Sequence, residues 1–202
     1  MDMRQDRLFA DLQRFLEDHM GKEFILYYGA NQTRRGYEWI LRLASEYPDT
    51  IFIHCGRLYE GQNMSETARR YRSLLLDQRR IFEAKAFITD RRITESAYAA
   101  CNYVLLPYQN HYGSSGVMLK SASYGKPVLV PRSGLMGYWV KNHRFGKTFI
   151  DGSYKDFLAK WSDLRKSYAV YQEPARRFAR MFDSKHVYES LDFGMAQLVV
   201  NG

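Results

Sequence analysis

Residues 103–130 read YVLLPYQNHYGSSGVMLKSASYGKPVLV, and the fold is decided in this stretch. Tyr103-Val104-Leu105-Leu106 is a short unbroken apolar run, the pattern of a strand covered on both faces of a parallel sheet. Residues 107–112 are polar enough for a loop, and a helix begins at Ser114 or Ser115 and runs to Tyr124. Gly125-Lys126-Pro127 then turns the chain into a second apolar run, Val128-Leu129-Val130. Two such strands joined by one helix pair in parallel through a right-handed crossover.

The same alternation extends outward in both directions. Upstream, Leu8, Phe9, Leu12, Phe15 and Leu16 recur at helical spacing, so residues 4–20 are expected as an amphipathic helix ended by Gly21. A strand follows at residues 24–28, a polar loop at 30–35, a helix at 36–47 closed by Pro48, a strand at 51–53, a helix at 65–76, a weaker strand within 81–88 and a helix at 90–100. Downstream, residues 135–142 read as a short helix, 148–150 as a last strand, and 153–200 as mostly helical with breaks near 168–174 and at Asp183. The expected fold class is therefore α/β, a Rossmann-like parallel sheet with helices on both faces, and its ligands bind beyond the carboxyl ends of the strands. We divide the chain into a leading helix or linker at residues 1–22 and one domain at 23–202.

Composition restricts the partners. Lys and Arg exceed Asp and Glu by a formal charge of +8, which favours an anionic partner. The cations are scattered, without the aromatic interleaving of a base-stacking surface, so nucleic acid is not expected, whereas contact with a membrane surface stays open. No apolar run is long enough to span a bilayer and the N-terminus is charged, so a cytoplasmic location is expected. Cys55 and Cys101 lie in apolar runs and read as buried packing residues. Asn31-Gln32-Thr33 and Asn63-Met64-Ser65 match the glycosylation sequon, which carries no chemistry without secretion. Gly146-Lys147-Thr148 is not a phosphate-cradling loop of the Walker type, because Lys141 stands where that loop needs its first glycine.

Two loops fall on the carboxyl-end rim. In the one after Leu106, Gly113, Ser114, Ser115 and Gly116 open a helix, and such a start offers free amides, hydroxyls and the positive end of the helix dipole to a phosphate. The alternative is an ordinary serine cap with turn glycines. In the loop after Tyr28, Gly29, Asn31, Arg34 and Arg35 precede a helix, where a guanidinium fork can clamp a diphosphate or stand in solvent as a basic turn. His111 is the one histidine in a ligand loop; His19, His54, His143 and His186 read as surface or packing residues.

Taken together these segments resemble the C-terminal, donor-binding domain of GT-B glycosyltransferases of the retaining family 4 type. Phe24 to Gly36, FILYYGANQTRRG, resembles the opening strand and loop; His54-Cys55-Gly56 resembles the strand-end glycine; Asn102 to Pro107 and GSSGVMLKSASYGKP at 113–127 resemble the strand, glycine loop and helix that follow. The resemblance implies a nucleotide diphosphate sugar as donor, no cofactor and no obligatory metal, with Arg35 at the phosphate and residues 113–116 beside sugar and phosphates. Departures accompany it: Ala30 replaces the family's arginine, and the two family glutamates fall at Tyr112 and Lys120. Lys120 then either approaches a phosphate or faces solvent. The resemblance also implies an acceptor glycan, lipid or other hydroxyl compound, and an N-terminal GT-B domain in the same or a partner chain.

Overall fold

The structure, a computed structural model, describes residues 2–61 and 64–182. Six strands form one parallel sheet: β1 Glu23–Tyr28, β2 Thr50–Cys55, β3 Ile81–Glu83, β4 Tyr103–Leu105, β5 Val128–Pro131 and β6 Gly146–Phe149. Their spatial order is β3-β2-β1-β4-β5-β6, so the chain works outward from β1 to one edge, returns across it, and works outward to the other. Among the described residues the α-helices are α1 Met3–Asp18, α2 Tyr37–Glu46, α3 Glu66–Asp77, α4 Arg91–Ala100, α5 Gly116–Ser123, α6 Gly134–His143, α7 Tyr154–Lys166 and α8 Tyr168–Arg180.

Alternation along the strands distributes the core between the two faces. Phe24, Leu26, Ile53, Val104 and Val128 turn to the side covered by α1, α4, α5, α6 and α8, while Ile25, Tyr27, Phe52, Tyr103 and Leu129 face α2, α3 and α7. Both layers are needed because a parallel strand exposes apolar side chains to both sides. Among the described residues no helix is long and apolar enough to cross a membrane.

Helix α1 is built into this core. Leu12 is completely buried, and Leu8, Phe9, Phe15 and Leu16 pack beside it. Burial of one such side chain stabilises by about 1.5–3 kcal/mol. Gln5 also bonds the connection after β3, donating to the Phe87 carbonyl and accepting from the amides of Thr89 and Asp90.

Strand β3 falls within 81–88 as expected, ending at Glu83 and leaving Phe87 and Ile88 in a loop. The elements depart from the periodicity reading in three places. Thr33–Arg35 is a short 3₁₀ turn in the expected polar loop, and it delivers the chain to α2. Strand β6 starts at Gly146, not at residue 148, because Gly146 pairs with Val128 so closely that a Cβ there would lie 2.1 Å from the Val128 carbonyl oxygen. The break after α7 is confined to Ser167, and Pro174 sits inside α8. A proline removes one ladder bond and crowds the preceding turn; burial of Tyr171, Ala175 and Phe178 along one face of α8 offsets that cost. The helical reading beyond residue 182, including the break at Asp183, and the sequon at Asn63 lie outside the described residues.

Candidate functional site

Strand β1 has β2 on one side and β4 on the other, so the chain leaves neighbouring strand ends in opposite directions, and a crevice opens between the connections. The loops after β1 and β4 meet there. The Gln109 amide donates to the Arg34 carbonyl at 2.7 Å, and Gly36 lies so close to Pro107 that a Cβ would stand 2.2 Å from its carbonyl oxygen. Gly36 has φ 65°, a left-handed conformation that closes the 3₁₀ turn and starts α2.

Arg35 is held at this junction. One terminal nitrogen of its guanidinium rests over Gly29, where a Cβ would come within 2.1 Å of it, and the guanidinium carbon lies 5.5 Å from the centre of the Tyr108 ring. Its Nε is buried and has no hydrogen-bond partner. Tyr108 is buried, and burial pushes its phenol above the ordinary range, while the Arg35 charge and the Ser115 hydroxyl act in the opposite direction. Arg35, Gly29, Tyr108 and Ser115 therefore form one continuous group. Ser115 is nearly buried at the start of α5, yet its side chain does not cap the helix. The first amides of α5 keep their donors for another acceptor.

The floor is set from below by His54. Its Nε2–H donates to the Gly29 carbonyl at 2.9 Å, and its ring lies between Tyr27 and Tyr37 at centroid distances of 5.4 and 4.8 Å. The ring is fully buried and its Nδ1 has no partner; burial pulls its pKa down to about 4, which keeps the imidazole neutral. The Gly29 amide donates to the Cys55 carbonyl at 2.8 Å. Gly56 lies directly against that turn, since a Cβ on it would stand 2.1 Å from the Gly29 oxygen. The packing reading of His54 holds, with a hydrogen bond to the site loop in addition.

The remaining sequence candidates divide. Asn31 is completely buried, and both ends of its amide are occupied by the Tyr59 backbone at 2.7 and 2.9 Å. It ties two loops together, and its side chain is not available to a ligand, which corrects its reading as a donor contact. His111 donates from Nε2 to the Ser114 carbonyl at 3.1 Å and stands edge-on to Tyr108 at 5.3 Å, so it braces the loop. Gly113, Ser114 and Gly116 are exposed in the turn that leads into α5. Lys120 places its ammonium 5.5 Å from the Tyr124 ring centre, toward the far end of α5 and outside the lining of the crevice.

Beside this group is a cleft of about 540 Å³, lined by Tyr28, Gly29, Ala30, Arg35, Cys55, Gly56, Arg57, Tyr59, Phe87 and Ile88. Arg57, Tyr59, Phe87 and Ile88 were not singled out from the sequence. The Arg57 guanidinium lies 5.8 Å from the centre of the Phe87 ring, and Phe87 is 66% exposed at the cleft. The signal that could have found them was Gly56, since it marks a strand end on the same rim. The lining holds two arginines and no carboxylate, so the cleft is fitted to a flat apolar group joined to an anion.

A sheet of this order, a glycine loop before α5 and helices on both faces make up the fold of the C-terminal domain of GT-B glycosyltransferases. Similar solved structures include sucrose-phosphate synthase from Thermosynechococcus elongatus, with 16% identity and a TM-score of 0.65 over 90% of this chain and 47% of that one. The C-terminal domain of a group 1 glycosyl transferase, LpcC, from Francisella tularensis matches at 16% identity and a TM-score of 0.65, over 86% of this chain and 92% of that one. HepE from Anabaena, in complex with UDP, matches at 14% identity and a TM-score of 0.71, over 98% of this chain and 53% of that one. The chain thus spans about half the length of sucrose-phosphate synthase and HepE. No family model matches the sequence, and no curated protein is a significant sequence relative.

Proposed function

We propose that this chain is the donor-binding domain of a glycosyltransferase, which takes a sugar from a nucleotide diphosphate sugar and transfers it to an acceptor hydroxyl once an acceptor-binding half is joined to it. The observation that carries the reading is the convergence of Arg35 and the uncapped start of α5 on one crevice at the strand-order reversal. Arg35 and the amides of residues 115–117 hold the diphosphate, and the aromatic cleft beside Arg57 receives the base. As the bond to the sugar breaks, negative charge gathers on the departing diphosphate. Fixed donors aimed at that charge lower the barrier, and losing one such donor typically costs about 10²–10³ in rate. Positioning the acceptor falls to a second domain in the same or a partner chain. A bound UDP in HepE is consistent with this assignment.

Titration of the chain with UDP, GDP and ADP tests it. One of the three binds below millimolar concentration, and Arg35→Ala weakens that binding by roughly tenfold or more, the loss expected of a charge-assisted contact. Binding of none of them, or a titration indifferent to Arg35→Ala, overturns the proposal.

A second reading is favoured by Lys120. With an ammonium where the family places a carboxylate, and with that ammonium over Tyr124, the chain lacks the group expected to grip the ribose hydroxyls. A domain of this kind recognises a nucleotide or sugar without turning it over. Nucleotide binding without sugar transfer by the longest natural form of the protein supports this reading over the first.

A further inference from the structure

A second cavity, of about 610 Å³, lies elsewhere in the described molecule. It opens at the amino end of β6, at the opposite end of the strands from the crevice and at the free edge of the sheet. Lys141 and Arg144 reach it from the end of α6, Lys147 from β6, Lys160 from α7 and Arg177 from α8. No Asp or Glu lines it. Of these five cations Lys160 alone has a carboxylate of the described residues within ion-pair distance, Asp163 at 3.9 Å. Lys147 lies over the ring of Tyr171, 5.9 Å from its centre, and both residues line the cavity. The wall opposite is opened by Pro174, which gives no N–H to the Val170 carbonyl, and both residues face the cavity.

We infer that this cavity is a second anion site, and that it binds two or more phosphoryl groups together, on one ligand or on adjacent lipid headgroups. Five cations from four elements, with Asp163 beside Lys160 as their one carboxylate among the described residues, repel one another, and a ligand with several negative charges relieves that repulsion. A carboxylate or a single sulfate neutralises too little of it. Guanidinium and ammonium groups together suit phosphoryl oxygens, the first by paired donors and the second as a point charge. The Gly146-Lys147-Thr148 segment supplies the lysine without a Walker loop.

The probes are inorganic tripolyphosphate and vesicles of phosphatidylglycerol, each applied to the whole chain carrying Arg35→Ala, so that loss of the crevice does not enter the result. Tripolyphosphate is expected to shift the amide resonances of Lys147, Thr148 and Arg177, and Lys147→Gln with Arg177→Gln weakens its affinity by about tenfold or more. Lys160→Gln is a second, independent variant with the same direction. Co-sedimentation with the vesicles that depends on Lys147 and Arg177 assigns the phosphoryl groups to lipid headgroups; binding of tripolyphosphate alone assigns them to a soluble ligand. If neither probe binds, or if binding is unchanged in the charge variants, the inference is overturned. Because Arg35 is absent throughout, that failure is distinct from failure of the donor reading.

Discussion

At the scale of single residues, His54 carries a consequence that its neighbours do not. The ring is neutral when folded, with a pKa near 4, and returns to about 6.5 when the chain unfolds. A folded pKa below the unfolded one means that the unfolded chain binds the extra proton between these values. Folding stability is therefore full above about pH 6.5 and declines as the pH falls toward 4. At pH 4.5 the loss is roughly 2–3 kcal/mol from this group. Urea unfolding at pH 7 and pH 4.5 measures it, with His54→Gln as reference: the variant is less stable at pH 7, and the drop on acidification is smaller by about that amount. An equal drop in both proteins removes His54 from the account.

Among elements, the join between the 3₁₀ turn and α2 is the narrowest point. Gly36 needs both its left-handed φ and the bare face it turns to Pro107. Gly36→Ala adds conformational strain of about 1 kcal/mol and a clash with backbone that cannot give. The expected result is a loss exceeding roughly 2 kcal/mol in thermal or urea unfolding, together with weaker nucleotide binding because Arg34 and Arg35 move with the turn. A variant as stable as the parent shows that the two loops separate without cost. This join was only half legible in the sequence. The glycine announced a turn, but nothing in local periodicity says that Pro107, seventy residues onward, closes over it. Asn31 shows the same limit: a polar residue in a ligand loop reads as a contact until the fold shows Tyr59 already taking both ends of its amide.

For the whole molecule, the alternation of apolar runs and amphipathic segments was enough to give a parallel sheet with two helical layers, since a strand buried on both faces and a helix buried on one leave different periods. The strand order was not readable in that way, because order is decided by long-range pairing that leaves no local mark. The crevice followed from fold likeness, and its far wall at Arg57 and Phe87 stayed hidden because it depends on β3 being shorter than its apolar run. The reading of Cys55 and Cys101 as packing residues fits their place in one buried cluster, where burial raises both thiols to about 12. Neither is expected to react with a thiol reagent in the native state at pH 8, and both become reactive only through unfolding. Rapid labelling of either in native buffer contradicts the packing described above.

The contact between Gly29 and Gly56 bears on how such a domain could change its ligand. Backbone meets backbone there, so a side chain on Gly56 would run into the Gly29 carbonyl, while at Gly29 a φ of 117° and the Arg35 guanidinium stand against one. Selection for a new specificity has little to work on at those two positions; it is diverted to Arg57, Tyr59 and Phe87, whose side chains stand at the opening. The floor is thus conservative by geometry, and novelty is left to the walls.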